Sequence, residues 1–164
     1  MVNQLQNNQK IHREIEEYLT EGRKVNLVGK SGAGKTTLLR KILDLNIQVK
    51  GKLTKTIYLD MQLIKSPQEF YAAIADLLEL DDSLQGYYLG RAIKKLPYSS
   101  IIVLIDEAGL LFQDHLYTVC SWLRAMTDDY EFVLLAASLI DLIDLETESG
   151  KTSPLYNVFY PLYL

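Results

Sequence analysis

The sequence has little of several features that define other protein classes. Among its 164 residues is one cysteine, Cys120, which excludes an intramolecular disulfide framework and a zinc site built from several cysteines. A reducing compartment is therefore expected. Apolar runs such as Ile101–Ile105 are far too short to cross a bilayer, and the N-terminus lacks the long apolar stretch of a secretory signal. We expect a soluble cytoplasmic protein with no membrane partner.

Proline and glycine are also few, and neither a linker nor an internal repeat is visible. Hydrophobic residues make up 48% of the chain and charged residues 23%, as in folded globular domains. We expect one domain over residues 1–164, with an N-terminal helix within 1–22 and a core over 23–164. Charge is uneven: residues 1–55 hold 11 Lys and Arg against 5 Asp and Glu, although the net charge is −4. Such polarity suits a polyanion site near the N-terminus, or simply solvated helix faces.

Apolar residues follow helical spacing in some segments and strand patterns in others. Helices are predicted over about 9–20, from about 34, from about 67, over 84–96 and around 116–123. Strands are predicted at 25–28, 55–60, 101–105, 132–137 and 156–162. Strands that alternate with helices indicate an α/β fold of three layers, with a parallel five-stranded sheet between helices. Sites in such folds lie at the carboxyl ends of the strands.

The segment after the first predicted strand carries the strongest chemical signal. It reads Gly29, Lys30, Ser31, Gly32, Ala33, Gly34, Lys35, Thr36 and Thr37, and it fits the P-loop pattern G-x-x-x-x-G-K-[ST] at every fixed position. Glycines allow positive φ and close approach of the backbone, so successive N–H groups can surround a phosphate at the start of a helix. Lys35 would contact the β- and γ-phosphates, and Thr36 would give its hydroxyl to Mg²⁺. The motif predicts binding of a nucleotide with Mg²⁺.

The third predicted strand ends in two carboxylates. In a nucleotide-binding protein Asp106 would hold Mg²⁺, and Glu107 would orient and polarise the water that attacks the γ-phosphate. Alone, such a strand end is more often a solvated acidic turn, and it is the P-loop that favours a metal and water site. The segment also fits the D-x-x-G pattern of GTPases, but no guanine-reading Asn/Thr-Lys-x-Asp follows Asp106, where Lys151 is the only lysine. ATP is therefore preferred to GTP.

Taken together, these segments resemble a known family. The order VNLVGKSGAGKTTLLRK, TIYLD, IIVLIDEAG, WLRAM, FVLLAAS and SPLYNVF, over about residues 10–164, is similar to the nucleotide-binding domain of AAA+-like ATPases of the STAND type. These are prokaryotic signal-transduction ATPases related to archaeal initiator-type ATPases. The resemblance implies a P-loop NTPase fold with sheet order 5-1-4-3-2. The family's helical lid, second sensor arginine and winged-helix domain have no counterpart, so we expect a minimal module or a domain cut from a longer protein.

The resemblance also implies roles for single residues. Ser138 falls where the family has a polar residue that senses the γ-phosphate, although a serine at a strand end is also a common helix cap. Arg124 is a candidate arginine finger, but a solvated arginine on a helix face explains it better. Arg13 and the segment around Ile11 would border the adenine, and packing of an amphipathic helix explains them equally well.

The expected function is that of a nucleotide-dependent conformational switch, which binds MgATP and hydrolyses it slowly. We expect a protein partner or self-association. Three alternatives stay open: a DNA-associated helper or initiator-type ATPase, a non-hydrolysing nucleotide-binding scaffold, and a small-molecule kinase. DNA is a partner that the resemblance allows, but no pattern of basic residues in the chain supports it.

Overall fold

The computed structural model describes residues 2–129 and 132–164 and places them in a parallel sheet between helices. The strands are β1 (Val25–Val28), β2 (Thr54–Asp60), β3 (Ser100–Asp106), β4 (Phe132–Ser138) and β5 (Tyr160–Tyr163). The helices are α1 (Val2–Thr20), α2 (Lys35–Asp44), α3 (Pro67–Leu77), α4 (Gly86–Lys94) and α5 (Tyr117–Asp129). Short 3-10 helices lie at Val49–Gly51, Met61–Leu63, Ala108–Phe112, Asp114–Leu116 and Leu142–Asp144.

The sheet has the order β2-β3-β4-β1-β5, and every neighbouring pair is parallel. Read from the other edge, this is the predicted order 5-1-4-3-2. The three-layer α/β/α P-loop fold predicted from the sequence is therefore confirmed. Because all strands run in one direction, the carboxyl ends of β1, β3 and β4 lie close together at the same end of the sheet.

The strands β3 and β4 correspond to the continuous apolar runs of the sequence, and neither lies at the edge of the sheet. Every residue of β3 and β4 is buried, since helices cover both faces of the sheet. Alternate residues of β3 enter different cores: Ile101 and Val103 pack on the side of α3, α4 and α5, and Ile102 and Leu104 pack on the side of α1 and α2. None of the helices in the described ranges is both long and apolar enough to cross a bilayer.

Two elements begin several residues away from their predicted starts. Helix α1 begins at Val2, about two turns before the predicted start, and its residues 2–10 are all exposed. The spacing of apolar residues predicted only the second half of α1, because Ile11 is the first residue of this helix that packs into the core. The fifth strand starts at Tyr160 rather than at 156, since residues 154–157 form a turn in which Asn157 has a φ of 60°. Pro161 fits β5 because that strand lies at the edge of the sheet.

Cys120 lies in the core, on the apolar face of α5. Its side chain is 1% exposed, and its Sγ atom donates a hydrogen bond to the carbonyl oxygen of Leu111 at 3.2 Å. Burial raises the pKa of the thiol to about 11. The thiol therefore stays protonated at neutral and mildly alkaline pH.

We predict that Cys120 resists thiol reagents in the folded protein. Only the thiolate reacts, and at pH 8 the raised pKa lowers its population by roughly 100-fold relative to an ordinary cysteine. Labelling with a chromogenic disulfide at pH 8 should be at least that much slower in native buffer than in 8 M urea. Cys120→Ser is the blank, since the chain has no other cysteine. Labelling at equal rates in both solvents would contradict a buried thiol.

Candidate nucleotide-binding site

The P-loop connects the end of β1 to the start of α2. Gly32 and Gly34 have φ angles of 79° and 92°, which are left-handed conformations that strain any other residue. Gly34 is also the N-cap of α2, and no side chain caps this helix end. The first N–H groups of α2 therefore remain available to an anion, at the end of the helix where the dipole favours negative charge.

Lys35 is the first residue of α2 and places its ammonium group inside the loop. The side chain is largely buried, with 9% exposure. Its Nζ atom donates hydrogen bonds to the carbonyl oxygens of Gly29 at 2.5 Å and Lys30 at 2.9 Å. The loop therefore holds the Lys35 ammonium group in place. This group can exchange its bonds to the two carbonyl oxygens for bonds to phosphate oxygens.

Thr36 and Asp106 are 70 positions apart in the chain but are hydrogen-bonded to each other. The Thr36 hydroxyl donates to Oδ2 of Asp106 at 2.6 Å. The carboxylate ends β3 and is buried, and its other oxygen, Oδ1, accepts the backbone N–H of Glu107 at 3.1 Å. The structure therefore brings the P-loop and the predicted aspartate together at the carboxyl edge of the sheet.

The Thr36–Asp106 pair fits Mg²⁺ by the chemistry of its donors. Hydroxyl and carboxylate oxygens are the hard ligands that Mg²⁺ prefers, and this ion commonly takes one or two protein groups and completes its shell with water and substrate phosphates. Among the described residues no group of three or more His, Cys, Asp or Glu side chains could hold a metal ion. A magnesium site with two protein ligands, next to a loop that would hold the phosphates, agrees with the donor chemistry and with the lack of such a group among the described residues.

Glu107 follows β3 in a left-handed conformation, with φ 52° and ψ 45°. For a residue with a side chain this conformation costs about 1 kcal/mol or more, and such strain is often found at functional sites. Glu107 is half-buried and begins the 3-10 helix Ala108–Phe112, where its carbonyl oxygen accepts the N–H of Leu110 at 3.1 Å. The predicted water-activating residue is thus placed immediately beside Asp106.

Ser138 ends β4 beside the P-loop, but its hydroxyl group is already bonded within the protein. It donates to the carbonyl oxygen of Ile140 at 2.6 Å and accepts the side-chain amide of Asn26 at 2.9 Å. Its own carbonyl oxygen accepts the N–H of Gly29, the first P-loop residue, at 3.1 Å. Contact between the Ser138 hydroxyl and a phosphate would therefore require the bond to Ile140 to break.

Asn26 is a polar residue of this region that the sequence did not reveal. It lies in the middle of β1, is fully buried, and accepts the N–H of Leu142 at 3.0 Å through Oδ1. With its bond to Ser138, it fastens both ends of the segment 138–142 to the strand that leads into the P-loop. An asparagine within an apolar strand was the only available signal, and its partners lie more than 100 positions away.

Tyr58, on β2, is a second residue that sequence reasoning missed. Its phenol donates a hydrogen bond to Oδ2 of Asp106 at 2.8 Å, so this oxygen has two donors. The guanidinium of Arg40 lies 5.3 Å from the centre of the tyrosine ring. Burial, followed by the hydrogen bond to Asp106, raises the pKa of Tyr58 to about 12.

The residues expected near the adenine and at a subunit contact have different environments. A cleft of about 660 Å³ lies between α1, the start of α2 and the C-terminal Leu164. Arg13 and Thr37 line this cleft, whereas Ile11 is packed in the core. Arg124 is half exposed, and its Nε atom lies 3.5 Å from Asp128 one turn later on α5, as on an ordinary solvated helix face.

A family model described as an AAA domain matches residues 20–143. The chain belongs to this family. The match spans the P-loop, Asp106, Glu107 and Ser138 and ends just after the 138–142 segment. Comparison with curated proteins gave no significant match.

Several solved structures share this fold. The ORC1 protein of Aeropyrum pernix, solved in complex with DNA, is 19% identical with a TM-score of 0.73, over 94% of this chain and 44% of that chain. A Walker-type ATPase of Pyrococcus abyssi is 17% identical with a TM-score of 0.66, over 93% and 51%. Cdc6p of Pyrobaculum aerophilum is 16% identical with a TM-score of 0.62, over 88% and 41%. At these identities the likeness concerns the fold, and this chain spans about half or less of each relative.

We predict that Asn26→Ala lowers the free energy of unfolding by about 2 kcal/mol, within a range of roughly 1–3. The change removes the bond to Ser138 and leaves the buried N–H of Leu142 without its acceptor. Urea denaturation followed by tryptophan fluorescence measures the loss. Asn46→Ala is the matched control, because Asn46 is exposed and its side chain accepts a hydrogen bond from the exposed end of Gln48. It should change the free energy by no more than about 0.5 kcal/mol. Equal stability of the two variants would contradict a structural role for Asn26.

Proposed function

We propose that this domain binds MgATP and hydrolyses it slowly, and that the nucleotide acts as a conformational switch. The observation that carries the proposal is the 2.6 Å hydrogen bond between Thr36 and Asp106. Each residue alone belongs to a pattern that also occurs by chance. Their contact, beside a loop with free helix N–H groups and a buried ammonium, is the arrangement that phosphoryl transfer requires.

Binding of the triphosphate rests on the P-loop. The N–H groups of Gly32 and of residues 34–37 would donate to the phosphates, whereas the Ala33 N–H is bonded to the carbonyl oxygen of Lys30. Lys35 would exchange its bonds with Gly29 and Lys30 for the β- and γ-phosphate oxygens. Thr36 and Asp106 would hold Mg²⁺. When bound there, this ion supplies neutralisation of the charge on the β- and γ-phosphates.

The adenine would lie in the cleft between α1 and α2. Arg13 and Thr37 line this cleft beside the P-loop, and Leu164 contributes an apolar side chain. The preference for ATP over GTP still rests on the sequence, which lacks the guanine-reading motif after Asp106.

Hydrolysis would depend on Glu107 and Lys35. The carboxylate of Glu107 would orient the attacking water and accept its proton, while the Lys35 ammonium would stabilise charge on the γ-phosphate. Ser138 would sense the γ-phosphate by moving its donated hydrogen bond from Ile140 to a phosphate oxygen. Asn26 is hydrogen-bonded to both ends of the 138–142 segment, at Ser138 and at Leu142. A change at Ser138 would therefore move the segment and signal the nucleotide state, as in a STAND-type switch.

We predict that Lys35→Ala weakens MgATP binding by roughly 10- to 100-fold, the loss expected for hydrogen bonds from a charged group. Isothermal titration calorimetry with ATP, ADP and GTP in the presence of Mg²⁺ measures it. Lys52→Ala is the control, because Lys52 is exposed and outside the P-loop, and it should bind like wild type. If folded wild-type protein binds no nucleotide at millimolar concentration, the proposed function is wrong.

We predict that Glu107→Gln retains MgATP binding within about 2-fold but lowers phosphate release by on the order of 100-fold, the lower end for loss of a general base. The amide keeps the size of the side chain but accepts a proton poorly. Glu148→Gln, an exposed change in the loop before β5, should hydrolyse ATP like wild type.

Three results of this experiment would change the proposal. Unchanged turnover in Glu107→Gln would remove Glu107 from catalysis. Tight binding by wild type without phosphate release, at every protein concentration, would favour the non-hydrolysing scaffold. Turnover that rises steeply with protein concentration would indicate that a second subunit completes the site.

A further inference from the structure

We propose that Tyr58 is a positioning residue of the magnesium site, which fixes the Asp106 carboxylate in the orientation that Mg²⁺ binding requires. This inference rests on the proposed function and deepens it. It starts from the two donors to one oxygen: Oδ2 of Asp106 accepts both Thr36 at 2.6 Å and Tyr58 at 2.8 Å. Neither the P-loop pattern nor the aspartate-glutamate pair contains this tyrosine.

The hydrogen bonds of Asp106 define a single orientation of its carboxylate. A carboxylate oxygen has two lone pairs in the plane of the group, and at Oδ2 both have a donor. Oδ1 has one donor, the backbone N–H of Glu107. Rotation of the carboxylate about its Cβ–Cγ bond would break the Tyr58 bond as well as the other two. The phenol therefore restrains the group that is expected to face the metal.

Tyr58 also connects the carboxylate to the helix that begins in the P-loop. Thr36 and Arg40 are four residues apart on α2 and so lie on the same face of that helix. Thr36 contacts Asp106, and the Arg40 guanidinium lies over the Tyr58 ring. These three contacts, together with the turn of α2 that carries both Thr36 and Arg40, connect α2, β2 and β3. They hold the aspartate at the end of β3 close to the P-loop threonine.

The hydrogen bond of Tyr58 can be removed without removing its ring. The phenol O–H is the group that donates to Asp106, whereas the ring itself contacts Arg40. A phenylalanine would fill the same space and keep the contact with Arg40, but it would leave Asp106 with one donor fewer. Tyr58→Phe therefore isolates the hydrogen bond from the packing.

The test measures how much Mg²⁺ strengthens ATP binding. Dissociation constants for ATP are determined by calorimetry in Mg²⁺ and in EDTA, for wild type, Tyr58→Phe and Tyr87→Phe. The ratio of the two constants is the magnesium contribution. We expect Tyr58→Phe to lower this ratio by about 10-fold, the effect of one hydrogen bond to a charged group. Binding in EDTA should stay within about 2-fold of wild type, since the P-loop is intact.

Tyr87→Phe is the matched control, because Tyr87 is 71% exposed on α4, on the opposite face of the sheet from α2. It should leave the ratio unchanged. A magnesium titration at fixed ATP gives the second readout, and its midpoint should rise for Tyr58→Phe alone. Thermal melting of each variant without nucleotide establishes that the proteins compared are folded.

The outcomes distinguish this inference from the proposed function. If wild type binds ATP more tightly with Mg²⁺ and Tyr58→Phe shows the same ratio, the role of Tyr58 is overturned and the proposed function stands. Equal weakening of binding in Mg²⁺ and in EDTA also overturns it, because the tyrosine would then only support the loop. Wild type that binds ATP in neither condition overturns the proposed function, and this inference with it.

Discussion

The hydrogen bond between Thr36 and Asp106 is the contact on which the rest of the site depends. It exists because two strands that are not neighbours, β1 and β3, end at the same edge of a parallel sheet with β4 between them. The helix after β1 then brings Thr36 across β4 to the end of β3. If β1 and β3 ran in opposite directions, their carboxyl ends would lie at opposite ends of the sheet and Thr36 could not contact Asp106. The chemistry expected of the P-loop is therefore a consequence of the strand order.

The sequence predicted those parts of the site whose signal lies within a few residues. The P-loop is recognisable because its glycines, lysine and threonine act through adjacent backbone, and Asp106 because a buried strand ends there. Tyr58 and Asn26 could not be found in this way. Each has an unremarkable local context, and its role is defined by partners 48 and 112 to 116 positions away. Polar side chains that act through long-range hydrogen bonds leave no local pattern to read.

The element boundaries show the same limit. The strands β3 and β4 were predicted to within a residue because burial on both faces demands apolar residues throughout. The first half of α1 has no such demand: residues 2–10 are exposed, and nothing in their sequence distinguishes helix from coil. At β5 the alternation of tyrosines with apolar residues continued upstream of the strand, but a left-handed turn at Asn157 interrupts the extended backbone. The pattern of apolar residues in a sequence indicates which residues are buried. It therefore predicts backbone conformation only in segments whose conformation is determined by packing.

The two residues that the sequence concealed are complementary in their effects. Tyr58 belongs to hydrogen bonds that hold Asp106 against α2, and Asn26 belongs to hydrogen bonds that hold the 138–142 segment against β1. Buried polar groups are costly when unpaired, so such networks favour one fully paired arrangement over partly paired intermediates. A ligand that takes over one of these bonds must then shift the network as a whole. If the Ser138 hydroxyl turns to a phosphate, the carbonyl oxygen of Ile140, an exposed residue, loses this donor and can accept a hydrogen bond from water instead. The buried bonds of Asn26 to Ser138 and Leu142 have no such replacement, so a switch in the proposed function would depend on whether these two bonds are kept or broken together.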